Sequence, residues 1–148
     1  MQEIREIKIV LPLPPITKKN HSRIVGMGRR CPVCGKASRQ MLMPSAQYKN
    51  YEKKAGAFLK PLGIHIDYPV NVKCIYYMQT RRKVDQPNLF NATLDMLVHY
   101  NILEDDNRDF VFATDGSRVY HDKDFPRVEI TITPIDIEAE GYERWSKK

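Results

Sequence analysis

The chain has no uninterrupted run of about 18 apolar residues, so no transmembrane helix is expected. Cysteine is scarce: Cys31, Cys34 and Cys74. An odd number of cysteines is a poor disulfide framework for a chain of this size. His21, His65, His99 and His121 are scattered, and no second C-x-x-C joins the first. No internal repeat and no composition shift divides the chain. Its first residues, Met1 to Glu6, lack the charged-then-apolar order of a signal peptide, so a cytoplasmic protein without a membrane partner is expected.

What is present fits one soluble domain over residues 1–148. Hydrophobic residues make up 42% and charged residues 28%, enough for a core and too apolar for wholesale disorder. Lys and Arg total 24 against 18 Asp and Glu, a net charge of +6. Such a surface favours polyanions through phosphate contacts and counterion release. The plain alternative is a basic protein with no nucleic-acid role.

Alternation of Ile, Val and Leu predicts a strand over 4–12, ended by Pro12, Pro14 and Pro15. Lys18 and Lys19 lie in a basic turn. Residues 22–44 read as a hairpin-like basic arm inserted into the domain, holding Gly26, Gly28, Gly35 and two cysteines but little core material. Ser45 is placed to cap a helix from about Ala46 to Lys60, with Tyr48, Tyr51, Ala55, Phe58 and Leu59 at helical spacing. A second strand is expected over Pro69–Met78 and a second helix over Gln86–Tyr100. That helix has an apolar stripe of Leu89, Thr93, Met96, Leu97 and Tyr100 and a polar face of Asn88, Asn91, Asp95 and His99. Short strands follow at 110–113, 118–121 and 127–133. The expectation is an α+β fold: a mixed sheet of four to six strands packed with two main helices.

One constellation carries chemistry. The basic loop Arg81-Arg82-Lys83 leads to Asp85, then to the second helix, then to Asp105-Asp106. The helix ends lie roughly 21 Å apart, so Asp85 and Asp106 meet only if the chain folds back along the helix. A return strand from near Asn107 would do that. Gathered carboxylates bind Mg2+ through hard oxygen ligands and support phosphodiester cleavage, while the basic loop holds the phosphates. The bland alternative makes Asp85 a helix cap, Asp105-Asp106 a solvated turn and Asp95 a polar-face residue.

The stretch Arg81 to Leu97, with Glu104-Asp105-Asp106, resembles the RusA family of Holliday junction resolvases. That family's pattern is approximately D-x-D-N-L-x-K-x-x-x-D-x-L followed by D-D, and Asp85, Asn88, Leu89, Asp95, Leu97, Asp105 and Asp106 match it. Leu13-Pro14-Pro15, Lys19-Asn20, Ser45 and the segment Tyr48 to Tyr51 resemble the family's opening. The resemblance implies a small homodimeric α+β nuclease that binds four-way DNA junctions and cuts paired strands symmetrically with Mg2+ or Mn2+. Asp85 and Asp106 would ligate the metal, with Asp105 able to stand in for Asp106. Arg81, Arg82, Lys83, Lys18, Lys19 and Asn88 would contact DNA. Two positions depart from the pattern. Pro87 replaces an aspartate and cannot ligate a metal, and Asn91 replaces a lysine. The alternative is therefore a junction-binding protein of the same fold with impaired cleavage.

Separately, Cys31-Pro32-Val33-Cys34-Gly35-Lys36 has the order of one zinc knuckle, in which a tight turn aims backbone amides at two thiolates. Four ligands are needed for a structural Zn2+. A free reduced pair, a labile disulfide, and a site shared by two chains all stay open. A zinc-stapled structural protein is the third functional reading.

Overall fold

The computed structural model describes residues 5–17, 23–43 and 45–145, the side chains at 23–25 and 40–43 excepted. The strands are β1 (Ile7–Leu11), β2 (Arg23–Arg30), β3 (Ala37–Met43), β4 (Val70–Met78), β5 (Val111–Ala113), β6 (Arg118–His121) and β7 (Arg127–Pro134). The helices are α1 (Ala46–Leu59) and α2 (Gln86–His99), with a 3-10 turn at Lys60–Leu62. The architecture is α+β with a mixed sheet and two helices, as expected.

β4 is the hub. It pairs antiparallel with β7, which pairs antiparallel with β1. On its other edge it pairs in parallel with β5 near its start and with β6 near its end. Strict alternation explains its place: Val70, Val72, Cys74 and Tyr76 are buried, while the intervening side chains lie half-buried on the opposite face. Val128, Ile130 and Ile132 of β7, with Ile9 and Leu11 of β1, extend the same apolar face.

Both helices belong to this core. Tyr48, Tyr51, Ala55 and Leu59 come from α1, and Leu89, Ala92, Met96 and Leu97 from α2. Ser45 caps α1, accepting the Tyr48 amide at 3.1 Å. The helices touch closely. The Tyr48 hydroxyl donates to the Ala92 carbonyl, and the Tyr100 hydroxyl to the Glu52 carbonyl. Gly56 permits that approach, since a Cβ there would lie 2.7 Å from the Tyr100 hydroxyl. No helix among the described residues is long and apolar enough to cross a membrane.

The β5–β6 edge is broken by the turn Thr114–Ser117. Ser117 Oγ accepts the Cys74 amide at 3.1 Å, and Asn71 bonds both the amide and the carbonyl of Asp115. The first of these satisfies a β4 amide that a continuous strand would have paired, and the Asn71 side chain ties the turn to β4. β2 and β3 form a two-stranded sheet of their own, outside the five-stranded one.

Candidate active site and DNA interface

α2 returns antiparallel to β4, and this decides where the acidic residues fall. Asp85, the N-cap of α2, follows the C-terminal end of β4. At the other end, the Asn101 amide bonds the Val98 carbonyl and the Ile102 amide bonds the Leu97 carbonyl. Asn101 has φ 59, which asparagine tolerates, so the helix closes in a Schellman turn with Ile102 and Leu97 both buried. Leu103 then bridges Ile66, and Val70 bonds the Phe110 carbonyl. The 105–106 turn therefore stays at the N-terminal end of β4.

The expected return of that turn to Asp85 within one chain does not occur. A helix of 14 residues separates the two ends, about 21 Å of rise. Among the described residues, no group of three or more His, Cys, Asp or Glu side chains stands ready to hold a metal.

At the first end, Asp85 is exposed and its side chain makes no capping bond to its own helix, unlike Ser45 on α1. Its backbone carbonyl accepts the Asn88 and Leu89 amides, and its carboxylate meets Asn88 Nδ2 at 3.4 Å. Asn88 is 9% exposed, not on the outer face as the helical count implied. It lies in the row Asn88–Ala92–Met96, which packing of α1 buries beside the expected stripe. Asn88 is thereby placed to orient Asp85 and has little surface to offer DNA.

Arg81, Arg82 and Lys83 are all exposed in the loop before Asp85. Arg81 Nε donates to His121 Nδ1 at 3.3 Å, tying this loop to the end of β6. Pro87 and Asn91 line a cleft between the start of α2 and the β5–β6 turn, and Arg118 lines the same cleft. Lys18, Lys19 and His21 lie outside the described residues.

An aromatic stack that spacing did not single out sits beside this loop. Tyr120 meets Tyr77 at 5.7 Å, and the Arg127 guanidinium lies 3.7 Å from the Tyr77 centroid and 4.8 Å from that of Phe125. Asp122 and Glu129 hold Arg127 at 3.0 and 2.9 Å. Tyr120 and Phe125 remain 51% and 50% exposed, so the stack ends in two open ring faces.

At the second end, Asp105 is occupied by its own turn. Its carboxylate accepts the Asp106 amide at 2.8 Å and Asn107 Nδ2 at 2.9 Å. Asp106 is the freer carboxylate, and burial holds its pKa above the ordinary range, helped by a hydrogen bond to Asp105 and by the charges of Asp105 and Asp95. Nearby, His65 Nδ1 meets the Asn101 carbonyl at 2.9 Å and Nε2 meets Glu104 at 2.8 Å. Both ring nitrogens face acceptors, so the ring is held toward the imidazolium and its pKa is raised, most by the Asn101 carbonyl. Asp109 is buried, accepts the Trp145 amide at 2.9 Å and meets Arg108 at 3.3 Å. No sequence signal set it apart from its acidic neighbours.

The donors suit a hard cation, being carboxylate oxygens, and negative charge is already crowded at Asp106. One chain supplies such oxygens at two separated places.

No curated protein matches the chain. A family model, that of endodeoxyribonuclease RusA, matches residues 12–133. Because that span takes in the basic loop, both helices and both acidic ends of α2, the chain belongs to the RusA family of endodeoxyribonucleases, a family of Holliday junction resolvases.

Proposed function

We propose that the chain is a metal-dependent endonuclease that resolves four-way DNA junctions in recombination or repair, as a homodimer whose two active centres each draw on both chains. The observation that carries this reading is the placement of Asp85 and Asp106 at opposite ends of α2. Two α2 helices packed antiparallel across a two-fold axis bring the Asp85 end of one against the Asp106 end of the other. Phe90, Leu94 and Val98, half-buried and four residues apart, form an apolar row suited to that contact. The chain is one domain throughout, with the hairpin at 22–44 as an inserted basic arm.

In each centre Asp85 and the partner's Asp106 would hold Mg2+ or Mn2+. Such a cation, when bound, would supply a water of lowered pKa and offset charge on the departing oxygen. Asn88 orients Asp85, and Asp105 fixes the turn that presents Asp106. Arg81, Arg82 and Lys83 hold the backbone phosphates. Arg118, in the cleft that Asn91 lines, restores positive charge where the family carries a lysine. Two-fold symmetry fits a symmetric branched substrate read by shape more than by base edges.

The second reading, a junction binder with impaired cleavage, is favoured by Pro87, which removes one carboxylate. A labelled four-way junction incubated with Mg2+, Mn2+ or chelator separates the two. The enzyme gives paired symmetric nicks that chelator and Asp85→Asn abolish. Binding without nicks under every metal condition selects the second reading.

A further inference from the structure

The hairpin β2–β3 raises a question that the nuclease does not answer. A two-stranded hairpin alone is marginal in water. Residues 26–36 are all exposed. Its tip is nevertheless a defined turn. The Cys31 amide bonds the Lys36 carbonyl at 2.8 Å, the Gly35 amide bonds the Cys31 carbonyl at 2.9 Å, and Arg30 Nη1 reaches the Gly35 carbonyl at 3.2 Å. Gly35 takes φ 71, open to glycine at little steric cost. Both cysteines are free and exposed. The turn carries two sulfurs on one tip, and among the described residues no His, Asp, Glu or further Cys joins them in a group of three. The base of the hairpin, where Arg23 pairs with Met43, is a full strand away, about 26 Å.

We propose that Cys31 and Cys34 form half of a tetrathiolate zinc site, completed by the same two cysteines of a second copy of this chain. Zinc prefers four tetrahedral ligands, and thiolates are its softest and commonest structural donors. The thiols release their protons to solvent as the metal binds, and no electrons move. The shared ion would staple two basic hairpins together at their tips. Arg29, Arg30 and Lys36 flank the knuckle, so the joined tips would present one positive surface.

The test uses the full chain, stripped of metal and kept reduced, titrated with Co2+ and then Zn2+. The expected result is the visible spectrum of tetrahedral tetrathiolate cobalt, with the thiolate absorbance itself saturating at one ion per two chains. Cys31→Ser with Cys34→Ser removes the spectrum while leaving the circular dichroism and Tm of the core unchanged. Saturation at one ion per chain, absence of a thiolate spectrum, or unchanged metal uptake in the double variant overturns the proposal. Junction cleavage is not a readout here, so this test stands apart from the nuclease reading.

Discussion

Asp85 and Asp106 differ from ordinary surface carboxylates in opposite ways. Asp85 stands where a cap belongs yet makes no capping bond to its own helix. Asp85→Ala is therefore expected to lower stability by less than about 0.5 kcal/mol, whereas Ser45→Ala, which removes a real cap, costs about 1 kcal/mol. Chemical denaturation of the two variants side by side checks this. Asp106 has its pKa raised, so its charged form is disfavoured in the fold. The resulting loss of stability is absent below the ordinary carboxylate pKa and accrues as pH rises through the elevated folded value. Without metal, Asp106→Asn is expected to raise Tm by about 1–3 °C at neutral pH and by nothing near pH 3, while abolishing cleavage. A lower Tm at neutral pH contradicts the assigned crowding. His65 runs the other way. Its elevated pKa contributes stability below the unfolded value near 6.5, lost as pH rises through the folded one, so His65→Gln should narrow the difference in Tm between pH 6 and pH 9.

Among the elements, the loop before α2 and α2 itself carry most of the account. If Arg81, Arg82 and Lys83 each touch a phosphate, neutralising one should weaken junction binding uniformly across sequences and reduce the salt slope by about 1. Binding titrations over a range of salt concentrations measure it. Tyr120→Ala and Phe125→Ala, which remove the open ring faces beside that loop, should weaken binding to unpaired bases more than to duplex. These elements were largely legible in the sequence, because alternation marks β4 and β7 while Ser45 and Asp85 mark the helix starts. The width of the buried arc on α2 was not. A helix wedged between a sheet and another helix buries two adjacent rows, and so Asn88 went inside. The aromatic stack was hidden because Tyr77, Tyr120, Phe125 and Arg127 come together only through parallel and antiparallel pairing around β4.

For the whole molecule, the acidic composition of the site was readable but its assembly was not. The Schellman turn at Asn101 and the bridge of Leu103 to Ile66 are long-range outcomes, and they hold Asp106 a helix length from Asp85. The proposed function then depends on a second chain. The most direct measurement mixes Asp85→Asn with Asp106→Asn chains, each inactive alone, and assays junction nicking. In the mixed dimer one centre carries both substitutions and the other carries neither, so nicking of one strand is expected to return. If each centre were built within a single chain, every centre in the mixture would carry one substitution, and continued inactivity of verified heterodimers would contradict the account.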